Sequence, residues 1–445
     1  MNKNINSIDI DDFVYLNKRR SVIEKVPNVE AEQEEQAPRP KKITPEPSTE
    51  TRHQEKEVIQ EDEDMAPIAS VELEEFEVEE FEDESIQDES GGALKFGFIG
   101  IGQCGGRIAE AFHKTGYSKC FIINTAEQDL EKNTVPDKML IQLAGMTGGA
   151  GKDMEVARRT MESDKDGIYN KIRNLFGEVD HIFICAGLGG GTGGGGVLTV
   201  VEMAKKYMEY IDVPNADKKV GVIATLPTLG ESSSPLVAGN AYERGNELST
   251  LADLESITPF VIVDNEKVKN LYRKLTVKQF FPTINNSVAQ LLHIFNSIAL
   301  ESSEYVSFDS TDFQSVLQCG GHMIMGVSTV KSFDSNTSIS EALKKNLSKT
   351  LLASNFDLSR AKAVACIVIG GDDIFEEVPG LMDNINYGFD TIAAFTGNAK
   401  VHRGIYSDES RNGRINVYTM ISGLEVPTAR YEKMKPKNYK KGKKK

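Results

Sequence analysis

Residues 187–196 contain eight glycines in ten positions, directly between an apolar run typical of a buried strand (180–186) and a run typical of a helix (197–210). Glycine has no Cβ, so successive backbone N–H groups can turn toward one anion. The N-terminus of the following helix adds partial positive charge, and Thr192 adds a hydroxyl. A flexible linker would not be enclosed by a buried strand and a helix. The segment therefore predicts an anion-binding loop.

Short apolar strands alternate with helices through the middle of the chain, at 94–100, 120–124, 180–186, 220–225 and 261–263. This alternation indicates a parallel sheet covered by helices on both faces, an α/β Rossmann-like fold. Ligand sites in such sheets lie at the carboxyl ends of the strands. Each of these strands runs into a Gly, Asn, Thr or Asp, which predicts a ligand site at that edge.

A long helix and a second, smaller unit are predicted after these strands. Apolar side chains recur at three- and four-residue steps at Val288, Leu291, Leu292, Phe295 and Ile298. This period indicates a central helix over 284–306. Strand-like runs at 364–369 and 414–421 indicate a smaller α+β domain over 307–428, and 93–283 is left as the first domain.

Two further glycine clusters favour phosphate binding. Residues 100–105 form G-x-G-x-x-G between a strand and a helix, with Glu127 placed like a ribose-binding acid. Alone, this motif fits an NAD(P)- or flavin-dependent oxidoreductase or another phosphate-binding turn. Residues 145–152 resemble a P-loop but fail its pattern at Asp153, so they predict only a glycine-rich turn near a terminal phosphate. Anion-binding turns on neighbouring strands suit a triphosphate held from two sides.

These residues carry a resemblance to the tubulin/FtsZ superfamily. The run GGGTGGG at 189–195 resembles its signature, and residues 103–105 resemble the first nucleotide loop of tubulins. Residues 121–125 with Gln128, and residues 149–151, are similar to the second and third loops of FtsZ. The resemblance covers about 94–425, and the C-terminal part looks FtsZ-like rather than tubulin-like.

The resemblance implies a GTPase that polymerises head to tail, with 93–283 as its GTP-binding domain and GTP/GDP and Mg²⁺ as cofactors. Asp309 and Asp312 fall on the two acidic positions of a loop that would act on the neighbouring subunit's nucleotide. The residues implied in nucleotide binding are Gly102, Gln103, Cys104, Asn124, Gln128, Gly148, Gly149, Ala150, Gly151, Gly189, Gly190, Gly191, Thr192, Gly193, Glu231, Asn265 and Asn286. Hydrolysis would then depend on assembly.

Guanine recognition is expected from Asn265 and from Asn286 or Asn285, because an amide offers a donor and an acceptor to a base edge. Asn285 and Asn286 also suit N-capping of the central helix, and both roles are compatible. Glu231 matches the ribose-side acid of the family. Three residues depart from the family pattern: Ala126 replaces an Asp, Pro235 an Arg and Ser307 an Asn. With Ala126 in place, metal positioning is expected from Gln128, Glu127 or water alone.

The two ends of the chain differ sharply in charge. Residues 1–90 hold 27 acidic and 10 basic residues, whereas 431–445 hold one acid and eight lysines. Self-repulsion predicts a disordered acidic arm over 1–92, either a spacer or a docking segment for an unknown partner, and a basic disordered tail over 429–445. The tail would contact acidic arms of neighbouring filaments, a membrane surface or nucleic acid, without nucleic-acid specificity.

The cysteines and the apolar runs indicate a cellular compartment. Five cysteines without C-x-x-C spacing favour reduced thiols. No apolar stretch is long enough to span a bilayer, so a cytoplasmic protein without a transmembrane segment is expected.

Together these features predict a GTP-hydrolysing, FtsZ-like protein that forms dynamic cytoskeletal filaments for cell division. The alternatives are a plasmid- or phage-type filament that positions DNA, a filament that does not hydrolyse GTP, and an NAD(P)-dependent oxidoreductase. Scattered histidines offer no recognisable proton donor for the oxidoreductase.

Overall fold

A computed structural model of the chain describes residues 91–144, 146, 148–272, 275–347 and 356–436. Within these residues the strands are β1 (Phe96–Ile101), β2 (Cys120–Asn124), β3 (Asp137–Leu140), β4 (His181–Gly187), β5 (Val220–Leu226), β6 (Phe260–Asp264), β7 (His322–Val330), β8 (Ala363–Gly370), β9 (Lys400–Ser407) and β10 (Ile415–Leu424). Residues 1–90 of the predicted acidic arm lie outside the described residues.

The α-helices of the described residues are α1 (Gly102–Lys114), α2 (Glu127–Glu131), α3 (Met154–Ser163), α4 (Lys165–Phe176), α5 (Gly191–Tyr210), α6 (Pro235–Asp253), α7 (Asn265–Leu271), α8 (Val277–Ile298), α9 (Ser310–Leu317), α10 (Ser338–Leu347), α11 (Asp372–Glu377), α12 (Leu381–Phe395) and α13 (Thr428–Glu432).

The strands form one continuous sheet in the order β3-β2-β1-β4-β5-β6-β7-β10-β8-β9. Strands β1 to β6 are mutually parallel, β7 is parallel to β6, and β9 is parallel to β8. Strand β10 runs antiparallel to both of its neighbours. The predicted α/β class with a mostly parallel sheet is confirmed, and the strands of the C-terminal unit extend the sheet of the first. The predicted domain limits stay a prediction.

The side chains of β1 belong to two hydrophobic cores, one on each face of the sheet. Phe96 and Phe98 belong to the cluster that contains the apolar face of α8, while Ile99 and Ile101 belong to the cluster that contains α5. Successive strand residues point to opposite faces, so a strand covered on both sides reads as a continuous apolar run. The helices therefore hold the carboxyl ends of the strands in fixed positions.

The central helix starts earlier and ends earlier than predicted. It spans Val277–Ile298 rather than 284–306. A capping box starts it, since the Thr276 side chain accepts from the N–H of Gln279, and the Gln279 side chain accepts from the Thr276 N–H. The alternative that Asn285 and Asn286 cap this helix is therefore wrong, because both lie inside it.

The predicted disorder from residue 429 is wrong for the described residues 429–436. Residues of α13 and the turn after it pack against the body of the protein, and Arg430, Tyr431 and Met434 are buried. The burial of these three residues was not predicted, because the segment around them is rich in lysine. The rest of the predicted tail lies outside the described residues.

Two further expectations concern the membrane and the thiols. No helix among the described residues is long and apolar enough to cross a membrane. All five cysteines are free thiols, as their spacing favoured.

Candidate functional site

The glycine loops after β1 and β4 pack against each other at the carboxyl edge of the sheet. Gly102 opens α1 with a φ of 68°, and a Cβ there would lie 3.2 Å from the Gly193 nitrogen. A Cβ at Gly193 would lie 2.8 Å from the Gly187 oxygen. Helices α1 and α5 both begin here, and neither has a side-chain cap in the described structure. Their first N–H groups are therefore directed at one place where an anion can bind.

Gly105 sets how closely α1 approaches β4. A Cβ at this position would lie 2.0 Å from the Cys185 oxygen of β4. We expect Gly105→Ala to destabilise the fold by about 1–3 kcal/mol or more, because backbone must move to admit the methyl group. Nucleotide binding should weaken with it.

Gly106→Ala is the matched control, since a Cβ there would meet its nearest atom, Asn133 Nδ2, at an ordinary 3.4 Å. Denaturant unfolding and nucleotide titration measure both variants. Equal stability of the two would contradict this account of Gly105.

Thr125 joins the third glycine loop to the first two. Its hydroxyl lies 2.8 Å from the Thr192 hydroxyl and accepts from the Ala150 N–H at 3.1 Å. The Gln142 amide donates to the Thr125 carbonyl at 2.8 Å. Loop residues 148–151 are thereby held beside the start of α5. Thr125 was not predicted as a site residue on its own. The available signal was a hydroxyl side chain directly after the end of a strand.

Asn240 of α6 connects the loop at 148–152 to the glycine-rich segment at 187–196. Its amide donates to the carbonyl oxygens of Lys152 at 2.8 Å and Gly189 at 3.4 Å. A Cβ at Gly191 would lie 2.9 Å from the Asp153 nitrogen, so the backbones are nearly in contact. The predicted residues Gly148 to Gly151 and Gly189 to Gly193 therefore lie together.

A carboxylate that the sequence analysis did not select, Asp129, stands beside the first loop. Its Oδ1 accepts from Gln103 at 3.1 Å, and its Oδ2 from Asn124 at 3.4 Å. Asn124 also accepts from the Thr125 N–H, so its orientation is fixed. Gln128 lies exposed on the same short helix, α2. Asp129 comes five residues after the strand-ending Asn124, and this spacing was the signal available.

Cys104 is a neutral partner within the first loop. Its thiol lies 3.1 Å from the Thr225 hydroxyl at the end of β5, and burial raises its pKa. A thiol with a raised pKa is a poor nucleophile at neutral pH. Cys104 therefore links the loop after β1 to β5 by packing and a hydrogen bond.

The residues expected on the ribose and base side follow β5 and β6. The Glu231 carboxylate accepts hydrogen bonds from the N–H and the hydroxyl of Thr228 and so stabilises the loop on which both residues lie. Asn265 is buried as the first residue of α7, and the preceding Asp264 caps that helix. Both lie at the same edge as the glycine loops.

A cavity of about 460 Å³ lies between α1 and the first turns of α8, and residues of both helices line it. Asn285 and Asn286 line it from α8, together with Phe281. The Arg107 guanidinium of α1 lies over the Phe281 ring, 5.5 Å from its centroid. An aromatic ring, a stacked guanidinium and two amides are groups that bind a flat, polar base.

The two candidate catalytic acids lie far from these loops. Asp309 caps α9 by accepting from the Asp312 N–H at 2.9 Å, and Asp312 is bonded to His402 of β9. The Phe313 ring next to Asp312 lies 6.0 Å from the ring of Phe96, the first residue of β1, and the acids therefore lie at the amino ends of the strands, whereas the glycine loops follow the carboxyl ends. The structure therefore does not bring the acids and the phosphate loops of one chain together.

Comparison with known proteins gives two family matches. Residues 95–273 match the GTPase domain of the Tubulin/FtsZ family, and residues 306–428 match the C-terminal domain of the tubulin-like protein TubZ.

Individual proteins resemble the chain along most of its length. Cell division protein FtsZ 2 of Methanocaldococcus jannaschii is 27% identical over 351 residues, covering 78% of this chain and 84% of the relative. A GTPγS-form protofilament of TubZ from Bacillus thuringiensis serovar israelensis has a TM-score of 0.64 at 20% identity, covering 79% and 92% of the two chains. A type III plasmid segregation TubZ has a TM-score of 0.61 at 18% identity, covering 79% and 92%. These two structural likenesses show a shared fold.

Proposed function

The chain belongs to the tubulin/FtsZ family, and from this membership we propose that it is a GTPase that polymerises head to tail, with each active site completed by the neighbouring subunit. The observation that carries the proposal is the separation of the acid loop from the phosphate loops. Helix α8 alone, with 22 residues, is about 33 Å long. Stacking subunits along this direction would bring Asp309 and Asp312 of one subunit to the nucleotide of the next.

Each part of the proposed site has a defined task. The N-termini of α1 and α5, the 148–151 loop and Thr192 would hold the phosphates and the charge that develops on them. Asp312 and Asp309 would orient a water for attack on the γ-phosphorus. As the water oxygen bonds to that phosphorus, the bond to the β–γ bridging oxygen breaks, and the water proton passes to the carboxylate.

The residues beside the first loop fit a magnesium ion. No group of three or more His, Cys, Asp or Glu side chains that could hold a metal occurs in the described residues. Mg²⁺ bound with a nucleotide commonly uses one or two carboxylates, phosphate oxygens and waters. Asp129 offers such a carboxylate, and the side chains of Gln103 and Asn124 lie beside it. It would take over the role of the family's Asp, which is replaced by Ala126 in this chain. When bound, the ion would offset phosphate charge.

Guanine selectivity is proposed for Asn265 and for Asn286 or Asn285. Asn265 and the cavity between α1 and α8 would enclose the base, and Glu231 would lie near the ribose. Each amide can accept from and donate to a guanine edge. Adenine presents a different donor and acceptor pattern on the same edge, so ATP should leave these amides unpaired.

Nucleotide dependence tests the proposed function. We expect GTP to produce light scattering, sedimentable filaments and phosphate release, and GDP and ATP to produce none of the three. A fluorescence or absorbance change with NADH but not with GTP would instead support the oxidoreductase. Assembly in GTP without phosphate release would support a filament that does not hydrolyse its nucleotide.

We propose cell division as the process that the filament serves, as in the name of the FtsZ 2 relative. A DNA-segregating filament is the second candidate, favoured by the match of residues 306–428 to the TubZ C-terminal domain and by the plasmid segregation TubZ with the same fold. A tagged copy in its host should form a mid-cell ring in the first case. Filaments that move with a plasmid would support the second.

A further inference from the structure

A histidine lies directly beneath the acid loop. His402 of β9 is 5% exposed, and its Nδ1 lies 2.5 Å from Oδ1 of Asp312. It sits opposite Ala365 in the pairing of β9 with β8, so its backbone is fixed by the sheet. No sequence pattern singled it out, because 90 residues separate it from Asp312.

The loop is attached to β9 at several other points, which makes the contact between His402 and Asp312 a defined one. The Phe308 N–H donates to the Tyr406 hydroxyl at 2.7 Å, and the Ile405 N–H donates to the Val306 carbonyl at 2.9 Å. The Ser303 hydroxyl donates to the Ile405 carbonyl. The backbone before the acids is thereby fixed, and the Asp312 side chain is held by its own hydrogen bond to the ring.

The imidazole is committed to this one hydrogen bond. A carboxylate oxygen accepts, so Nδ1 carries the proton and donates to it. The Nε2 atom is buried and has no hydrogen-bond partner in the described part of the chain. With Oδ1 held by the ring, Oδ2 is the Asp312 oxygen that makes no contact with His402.

We propose that His402 is a positioning residue for GTP hydrolysis: it holds the Asp312 carboxylate by Oδ1 so that Oδ2 meets the water on the neighbouring subunit's nucleotide. The proposal rests on the function proposed above. His402 gives up no proton in this step, because the water proton goes to Oδ2 of Asp312. Asp309 is held separately, since its Oδ1 accepts from the Asp312 N–H. Each acid of the loop thus has its own support.

Replacing the ring tests the role of the hydrogen bond. His402→Val removes the donor, whereas His402→Asn keeps an N–H donor near the position of Nδ1. We expect His402→Val to lower GTP turnover per polymerised subunit roughly tenfold to a hundredfold, since a small misplacement of a catalytic group costs about that much. GTP affinity should stay at the wild-type value, and the variant should still assemble with GTP. His402→Asn should recover most of the lost turnover.

The outcomes separate this inference from the proposed function. Wild-type turnover in His402→Val, or an equal loss in both variants that follows their thermal unfolding, would overturn the role of His402 alone. Absence of GTP-dependent turnover in the wild-type protein would overturn the proposed function as well. If His402→Val does not fold, His402→Gln replaces it, because its longer amide reaches the Nε2 side instead. His402→Asn should then be at least several-fold more active than His402→Gln.

Discussion

Replacing Asp312 by alanine is expected to stop GTP turnover and to leave GTP binding intact. A general base within reach of the attacking water contributes about 10²–10⁴-fold, so phosphate release per subunit should fall by at least a hundredfold. The phosphate loops lie at the opposite ends of the strands, so we expect the substitution to leave them unchanged. Filaments should therefore form with GTP and persist, because the step that weakens their longitudinal contacts is lost. Sedimentation with a parallel phosphate assay measures both effects.

Asp309 needs a matched pair of variants, because it also caps α9. Asp309→Ala removes the cap and the charge together, and loss of a cap costs about 1 kcal/mol. Asp309→Asn retains a good capping side chain and removes the charge. We expect both variants to lose turnover, and only Asp309→Ala to lose stability as well. Normal turnover in the Asp309→Ala and Asp312→Ala variants would refute the assignment of the acids.

The second large effect is expected at Arg430, which anchors α13 to the edge of the sheet where the candidate nucleotide site lies. Its Nε donates to Oδ2 of Asp264 at 2.8 Å, and its Nη2 donates to the Pro227 carbonyl at 2.7 Å. Both Arg430 and Asp264 are buried. Asp264 in turn caps α7, which begins with Asn265. The contact therefore joins the end of the described chain to two loops of the candidate base and ribose site.

Arg430→Met is expected to lower the free energy of unfolding by about 3–5 kcal/mol, because it leaves a buried carboxylate without its cation. GTP affinity should fall too, since Asp264 and Pro227 lose their common support. The double variant Arg430→Met with Asp264→Asn should recover most of the stability, because the uncompensated charge is gone. Urea unfolding of the wild-type protein and of both variants measures this. A loss below about 1 kcal/mol in Arg430→Met would show that the pair contributes little.

The glycine loops could be predicted from sequence because their signal is local. A run such as 187–196 has few uses other than close backbone approach, and strand–loop–helix order places it at the carboxyl edge of a parallel sheet. The tubulin/FtsZ resemblance and the α/β fold followed from those residues, and both are confirmed. The roles of the individual site residues stay predictions.

The start of α8 was missed because its first turns bury little. Val277 is 88% exposed, so the apolar stripe that defines the helix in sequence begins later. The capping box of Thr276 and Gln279 starts the helix before that stripe. As a result Asn285 and Asn286 lie within α8, on the wall of a cavity, rather than at its N-terminus.

Long-range partners could not be predicted, because nothing local marks them. His402 and Asp312 are 90 residues apart, and Arg430 and Asp264 are 166 apart. The pairs meet because the fold places α9 beside β9 and α13 beside the end of β6. Composition pointed the other way for Arg430, which precedes a lysine-rich segment.

The dependence of GTP turnover on protein concentration tests shared active sites most directly. Turnover per subunit should be close to zero below the critical concentration for assembly and should rise steeply above it, because a lone subunit keeps its acids far from its own phosphates. Adding Asp312→Ala subunits to wild-type filaments should lower turnover in proportion to their fraction. Constant turnover per subunit on dilution far below any self-association would contradict the account.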